Sequence, residues 1–458
     1  MTLTPIIAHL APSGQRAYHA VLTPTSLHLL SPAGAPLAVL PCALPPARAS
    51  AAFMAQRHIC ASHDGRALAL VGDDKRLRVF ALHVKEQAIE GLQEGSERLD
   101  CPLPKRVSAL AWEEAAGEER ILLVGDRHGD VRALPVSLSG PLPAPLAQVA
   151  ADNESPDAAE AREAAQHPAM TPRIGSVSML LSMLPIASSS AAAPPAHLIT
   201  TDRDAHIRIS HWGAQRAGHL IARFLLRATL PVSALARPLS QPDLLLASEG
   251  PRLRLWAWRA GEMRALWEMP HVEKHVCVDA QMERMRENGS LGKWNARGKK
   301  RAAREEEGEE VKLREEPKTL VVREMQVVRE GDKEWLVWVL DGSTAVHMLP
   351  LHVLLSSPSS AAPEDPLQSA SDEPATDVSS HLQTFDFKRP VLSLAVVEHG
   401  EQGLQLWASL DMRADVGAGE AGEEEEDVKV LEIKDGGVSE PLALASLLLL
   451  RNTGDAAS

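Results

Sequence analysis

Short strands in which apolar and basic residues alternate recur along the chain. They lie at residues 77–80, 131–134, 207–210 and 253–256. Alternation with a period of two residues is typical of a β-strand with one buried face. Each of these strands follows a turn-rich segment and an earlier apolar strand. The pattern therefore predicts a repeated unit of strand, turn and strand.

The clearest unit runs from residue 62 to residue 82. Its apolar strand at 68–72 is followed by a tight turn at Asp73, Asp74 and Lys75 and by a second strand at 77–82. An aspartate in such a turn can accept backbone N–H groups and hold the turn. Units of this kind are typical of WD repeats, whose blades must stack around an axis to bury both faces of each sheet. We therefore predict an all-β fold, a WD40 β-propeller of seven blades with long disordered insertions.

The spacing of the repeats indicates where the insertions lie. A plain WD repeat occupies roughly 40–45 residues, and the excess falls in polar or charged stretches that cannot bury enough apolar area to order themselves. We expect blades over residues 1–281, with a loop at 137–174, and a charged flexible insertion at 282–316. The remaining blades are expected over 317–451, with loops at 356–380 and 417–427, before a tail at 452–458.

The composition and net charge limit the type of core and the kinds of ligand that we expect. Hydrophobic residues make up 45% of the chain but aromatic residues only 3%, which favours a core of Leu, Val, Ile and Ala spread over many thin sheets. The net charge of −14 argues against a protein that grips nucleic acid by itself, since phosphate binding needs a basic surface. The four cysteines form no CxxC pair, and no apolar stretch is long enough to span a bilayer.

Motifs for catalysis or cofactors are weak. A GxGxxG match at 417–422 lies in an acidic run without a βαβ context, which argues against a bound dinucleotide. His271, His275 and Cys277 have metal-like spacing, but neighbouring valines favour a half-buried strand there. The basic segment 293–301 could touch a nucleic-acid backbone or direct nuclear import, although the acidic residues that follow favour a solvated loop. We predict no catalytic, cofactor or metal site, and no enzyme activity in this chain.

The central third of the sequence carries a more specific pattern. Residues 175–180 read GSVSML, and residues 197–212 read HLITTDRDAHIRISHW. The combination of DRDxHIRIS with a preceding SML, followed by LRLW at 253–256, resembles the WD-repeat subunit of the tRNA guanine-N7 methyltransferase. The resemblance is best over residues 175–262 and continues in order over 57–136.

Three positions depart from that family pattern. Ser176 stands where a histidine is expected, the segment 227–233 lacks its Gly-His pair, and Glu249 replaces the usual aspartate before the LRLW strand. These changes predict the loss of hydrogen bonds that typically fasten a blade.

The resemblance implies a scaffold without chemistry of its own. It would form a heterodimer with an S-adenosylmethionine-dependent subunit that methylates N7 of a guanosine in the tRNA variable loop, and it would meet tRNA only through that complex. Arg208 would pair with an acidic residue of the catalytic partner, with Arg203 and His206 beside it. Structural alternatives are that Arg203 or Arg208 pairs within its own blade, and a generic WD adaptor is the alternative function. The resemblance also implies residence in the nucleus, with the cytoplasm left open.

Overall fold

Nearly all secondary-structure elements of the computed structural model are short antiparallel strands. It describes residues 6–10, 18–22, 26–31, 35–41, 56–62, 64–72, 74–85, 88–91, 97–113, 119–139, 171–176, 178–186, 196–213, 215–269, 272–281, 320–356, 378–398, 403–411, 428–434 and 437–439. The insertion 282–316, the tail 452–458, the loop 417–427 and the segment 293–301 lie outside these residues. So do most of the predicted loops 137–174 and 356–380.

Consecutive strands form seven antiparallel sheets, the blades of a propeller. Blade 1 contains β1 (Ile6–Leu10), β2 (Tyr18–Leu22), β3 (Ser26–Leu30) and β4 (Pro36–Pro41). Blade 2 contains β5 (Gln56–Ala61), β6 (Ala67–Gly72), β7 (Arg76–Ala81) and β10 (Glu97–Pro102), with a hairpin of β8 (His83–Lys85) and β9 (Ala88–Gly91) before its last strand. Blade 3 contains β11 (Val107–Trp112), β12 (Glu119–Asp126) and β13 (Val131–Ser137). Blade 4 contains β14 (Leu180–Ile186), β15 (His197–Asp202), β16 (Ile207–His211) and β17 (Ile221–Leu225).

The last three blades follow the same order. Blade 5 contains β18 (Val232–Ala236), β19 (Leu244–Glu249), β20 (Arg252–Ala257) and β21 (Glu262–Glu268). Blade 6 contains β22 (Val322–Glu330), β23 (Lys333–Leu340), β24 (Ala345–Pro350) and β25 (Gln383–Asp386). Blade 7 contains β26 (Val391–Glu398), β27 (Leu404–Leu410), β28 (Val428–Lys434) and β29 (Gly437–Ser439). Short helices lie at Val272–His275, Leu351–Ser356 and Ser379–His381. The predicted seven-bladed propeller is confirmed.

The ring closes by packing between whole blades. The first strand of each blade contacts the first strand of the next, and β26 of blade 7 contacts β1 of blade 1. Among the described strands, those of blade 1 come from the N-terminal end of the chain and those of blade 7 from the C-terminal end, with none exchanged between the two blades. At this junction the His19 ring stacks on Trp407, with ring centroids 3.5 Å apart.

The hydrophobic core is divided among the junctions between blades. Seven clusters of buried side chains each join two neighbouring blades, including Leu123 with Leu198 between blades 3 and 4. A central strand therefore buries both of its faces, and every residue of β27 is buried. Aliphatic side chains suit such thin layers, because each sheet packs against the next at a spacing of about 10 Å.

One local expectation was wrong, and one predicted loop meets a blade at its end. Ile174, the last residue of the loop predicted at 137–174, forms an antiparallel bridge with Val131 of β13 in blade 3. The half-buried strand predicted around His275 is a short 3-10 helix at Val272–His275, which buries Val272. In both places the alternation of nearby residues could not predict a contact with a residue that is distant in sequence.

Candidate partner-binding site

Two turns and a connector bring together the residues singled out by sequence. The turn after β12 belongs to blade 3, and the turn after β15 belongs to blade 4. The connector carries Gly175, Ser176, Ser178 and Met179 from one blade to the next. A Cβ on Gly129 of the first turn would collide with Ser176 and Ser178, and the second turn donates a backbone N–H to Met179 O at 2.9 Å. Both turns therefore pack against the connector.

Asp202 organises the turn of blade 4. Its Oδ1 accepts backbone N–H groups from Asp204 at 2.9 Å and from His206 at 3.1 Å. Its Oδ2 lies 3.1 Å from Nδ1 of His206. Ala205, between these residues, has a φ of 68° and so adopts the left-handed conformation that the tight turn requires. The turn thus uses both oxygens of its own carboxylate.

Arg203 and His206 reach solvent on either side of that carboxylate. The Arg203 side chain is 63% exposed, and its Nε lies 3.8 Å from Oδ1 of the exposed Asp204. An exposed ion pair at that distance contributes about 0–1 kcal/mol, so it holds Arg203 only loosely. The half-exposed His206 ring meets the exposed Phe224 ring edge to face, with centroids 6.2 Å apart.

Arg208 lies on β16 and is held by neutral acceptors. It donates to Ser210 Oγ at 3.0 Å, to the Gly175 carbonyl at 3.3 Å and to the Gly218 carbonyl at 2.8 Å. Burial lowers the pKa of this guanidinium from its ordinary value, which reflects its partial removal from water. Within the described parts of the chain, no carboxylate pairs with Arg208.

The arginines at the same place in other blades behave differently. In blades 2, 3 and 5 each of them forms an ion pair with the acidic residue of the preceding turn. The pairs are Arg78 with Asp74 at 2.7 Å, Arg132 with Asp126 at 2.6 Å, and Arg254 with Glu249. Arg208 is the exception among the four, because His206 has taken the free oxygen of the acid in its turn. The alternative that Arg208 pairs with an acid of its own blade is therefore wrong.

A buried carboxylate from blade 3 fixes one wall of this site. Glu113, whose side chain is 1% exposed, accepts a hydrogen bond from Trp212 Nε1 at 2.7 Å. It also accepts two from Arg216, at 2.9 Å from Nε and 3.1 Å from Nη2. Trp212 and Arg216 belong to the segment between β16 and β17, which supplies the Gly218 carbonyl to Arg208. We expect this bidentate pair to keep that carbonyl in place.

Sequence analysis missed Glu113 and its partners. Glu113 and Arg216 are 103 positions apart, and neither belongs to a motif. Gly218 gave no indication either, although a Cβ there would collide with Ile174, Trp212 and the Arg173 backbone. Only the packing of blade 3 against blade 4 brings these residues together.

The expectation that blade 5 has lost the hydrogen bonds of its turn is wrong, because Glu249 accepts them in place of the usual aspartate. One oxygen accepts hydrogen bonds from the backbone N–H and the hydroxyl of Thr229 and from the backbone N–H of Leu230. The other accepts a hydrogen bond from Arg254. Burial alone would raise the pKa of Glu249, but the bonds from Arg254 and Thr229 outweigh burial and lower it. The longer glutamate therefore fastens a turn that is shorter than usual.

Of the residues considered as metal ligands, His275 and Cys277 have other contacts. His275 lies 3.6 Å from Asp386 and near the ring of His347, while the backbone N–H of Cys277 bonds to Gly342. His271 lies outside the described residues. Within the described ranges, no three His, Cys, Asp or Glu side chains are grouped so that they could hold a metal ion.

Seven stacked blades, with turns in which an aspartate accepts backbone hydrogen bonds, define a WD-repeat β-propeller. A family model described as "tRNA methyltransferase TRM82 WD40 domain" matches residues 47–172 and 146–433. The match extends over most of the chain, and the chain therefore belongs to this family.

Curated relatives carry consistent names. The chain is 30% identical over 231 residues to the "tRNA (guanine-N(7)-)-methyltransferase non-catalytic subunit TRM82" of Coccidioides immitis, a match covering 44% of this chain and 42% of that protein. It is 29% identical to the trm82 subunit of Aspergillus clavatus over 47% of this chain and 48% of that one. The wdr4 subunit of Xenopus laevis is 39% identical over 19% of this chain and 20% of its own length. The chain spans about half the length of the fungal relatives it matches.

Across the described ranges, no helix combines the length and the apolar character needed to cross a bilayer.

Proposed function

We propose that this chain is a non-catalytic scaffold subunit that binds and stabilises the S-adenosylmethionine-dependent subunit forming N7-methylguanosine in the variable loop of tRNA. Membership of the family and the names of the relatives support the complex to which it would belong. The chain itself would contribute a docking surface and no chemistry.

The observation that carries this proposal is Arg208. A half-buried guanidinium with only neutral acceptors retains its full charge, and a carboxylate on a partner could approach it. A charge-assisted hydrogen bond of this kind is stronger than a neutral one and fixes the register of an interface. Arg203 and His206 flank the same opening and would contact the partner beside it.

The same proposal defines the other interactions. The catalytic subunit is the partner in a heterodimer, and tRNA is met through the complex. The proposal includes no membrane and no small-molecule substrate of this chain. It also includes residence in the nucleus, with the cytoplasm left open.

The test is reconstitution with the cognate catalytic subunit. We expect the wild-type chain to form a heterodimer that methylates N7 of guanosine in tRNA. The charge reversal Arg208→Glu is expected to weaken association by at least about thirtyfold, since loss of one side of a desolvated pair costs about 2–5 kcal/mol. Arg264→Glu, on the outer strand of blade 5, is the matched control, because Arg264 is exposed and pairs only with the exposed Glu262. A wild-type chain that neither binds the subunit nor changes methylation would contradict the proposal.

A further inference from the structure

Exposed apolar side chains concentrate on the outer edge of blade 4. Nine large hydrophobic residues of the described chain are exposed, and five of them fall between residues 220 and 230. They are Leu220, Ile221, Phe224, Leu226 and Leu230. Single exposed hydrophobic residues are ordinary on protein surfaces, but a contiguous group of this kind marks an interaction site.

Outer strands of other blades expose mainly polar residues. In β10 the exposed position is Asp100, in β25 it is Thr384, and in β21 the exposed positions are Glu262, Arg264 and Glu268. The outer strand β4 of blade 1 also exposes Leu37 and Val39, but the hairpin strand β9 packs beside it. In β17 four of five residues are exposed, and only Leu225 is buried.

The apolar strip is continuous with the Arg208 site. Phe224 is the cross-strand neighbour of Arg208 in the β16–β17 ladder, and its ring meets His206. Paired aromatic and arginine side chains are the residues that most often dominate the energy of protein interfaces. The strip and the cationic site thus form one surface.

The charge around the strip is the reverse of that of the whole protein. Residues 203–230 contain five arginines and one aspartate, in a chain of net charge −14. Arg216 is engaged by Glu113, whereas Arg223 donates to the backbone carbonyl of Ala260 in blade 5. Within the described residues, neither Arg208 nor Arg223 pairs with a carboxylate. An occupant that presents carboxylates around an apolar stripe would match this surface.

We propose that the outer strand β17 of blade 4, with Leu220 before it and Leu226 after it, is the apolar half of the docking surface, and that it receives a segment of the catalytic subunit carrying apolar side chains flanked by carboxylates. This inference rests on the proposed function and deepens it. Arg208 would set the register of the contact, while Phe224 and Leu226 would provide the buried area. Burial of exposed apolar side chains is the main favourable term in association.

The test measures affinity for the cognate catalytic subunit with the full chain. We expect the double variant Phe224→Thr with Leu226→Thr to bind at least about tenfold more weakly than wild type. Threonine keeps a high strand propensity, so the blade should remain folded. The matched control is Leu37→Thr with Val39→Thr on β4, which removes similar exposed side chains from another outer strand and should change affinity less than about twofold. Hydrogen exchange of the unmodified chain should show residues 220–230 protected in the complex.

Other outcomes would overturn the inference. If Arg208→Glu weakens binding but the double variant does not, the proposed function stands and the apolar strip is no part of the contact. If the unmodified chain dimerises in light scattering and the double variant does not, the strip joins two copies of this chain. If heterodimer affinity is unchanged but the complex binds tRNA less tightly, the strip contacts RNA. If the wild-type chain does not bind the catalytic subunit, both the proposed function and this inference are wrong.

Discussion

The turns of blades 3 and 4 share one sequence pattern but have opposite electrostatic outcomes. Residues 126–132 read DRHGDVR and residues 202–208 read DRDAHIR, so that each begins with an acid and ends six positions later with an arginine on the next strand. In blade 3 the arginine, Arg132, turns inward and pairs with Asp126 at 2.6 Å and with Asp130 at 3.2 Å. In blade 4 the arginine, Arg208, turns to backbone carbonyls.

A single position explains most of that difference. His206 stands where Asp130 stands in the other turn, and its ring takes the second oxygen of Asp202. That oxygen corresponds to the one that accepts from Arg132 in blade 3, and no acid stands at the position of Asp130. The comparison shows how one residue of the turn can leave the arginine of the next strand without an ion pair among the described residues. The following predictions test it in order of decreasing effect.

Replacing the acid of each turn by asparagine should lower the free energy of unfolding by different amounts in blades 3 and 4. We expect Asp126→Asn to lower the free energy of unfolding by about 3 kcal/mol, because the buried Arg132 loses its shorter ion pair and keeps only the longer one with the more exposed Asp130. Asp202→Asn should cost about 1 kcal/mol, since the His206 side chain is 45% exposed and the amide can still accept the turn hydrogen bonds. Urea denaturation of both variants measures the difference, and equal losses would contradict the distinction between the turns.

Breaking the Glu113 pair should affect both stability and binding. We expect Glu113→Gln to lower the free energy of unfolding by about 2 kcal/mol, because a hydrogen-bonded buried charge is replaced by an amide. It should also weaken affinity for the catalytic subunit several-fold, because the Gly218 carbonyl beside Arg208 loses its support.

The control for Glu113 is another ion pair between blades. Asp64 pairs with Arg120 across the junction of blades 2 and 3, away from the Arg208 site. Asp64→Asn should reduce thermal stability without changing affinity for the partner. A Glu113→Gln variant that loses stability but binds normally would show that Glu113 is only a structural residue.

Replacing His206 by the aspartate that stands at the same place in the turn of blade 3 should make Arg208 inaccessible to a partner. We expect His206→Asp to draw Arg208 toward Asp202 and the new carboxylate, as Arg132 is drawn in blade 3. Affinity for the catalytic subunit should then fall about tenfold, which corresponds to about 1.4 kcal/mol. His352→Asp, at an exposed position of the helix Leu351–Ser356 in blade 6, adds the same charge elsewhere and should leave affinity unchanged. Similar losses in the two variants would point to net charge rather than to Arg208.

Removing the backbone strain at Ala205, in the turn of blade 4, should have the smallest effect on stability. Ala205 has a φ of 68° where the first turn has Gly129, and the left-handed conformation costs an alanine about 1 kcal/mol. Ala205→Gly should therefore raise the melting temperature slightly and leave partner affinity unchanged. Ala257→Gly in β20, at an ordinary strand position, should lower the melting temperature. A fall in both would mean that the strain at Ala205 is negligible.

Much of the fold could be predicted because its determinants are local. Alternation at residues 77–80 and 207–210 identified the third strand of blades 2 and 4, and turn acids such as Asp74 and Asp202 behave as their turn chemistry predicts. The site was only partly predictable. The motif indicated Arg208, Arg203 and His206, whereas Phe224 lies on the next strand and Glu113 on another blade.

The amino-acid sequence by itself determined the strand repeat and the propeller class, because period-two patterning and turn chemistry act over a few residues. It indicated the family through the resemblance carried by the segments 175–180 and 197–212. The tertiary structure decided what Arg208 can do. Its acceptors come from Gly175 and Gly218, and the support of that wall comes from Glu113. Stacked blades bring together residues that are about a hundred positions apart, and the burial of a charge depends on that stacking rather than on its neighbours along the chain.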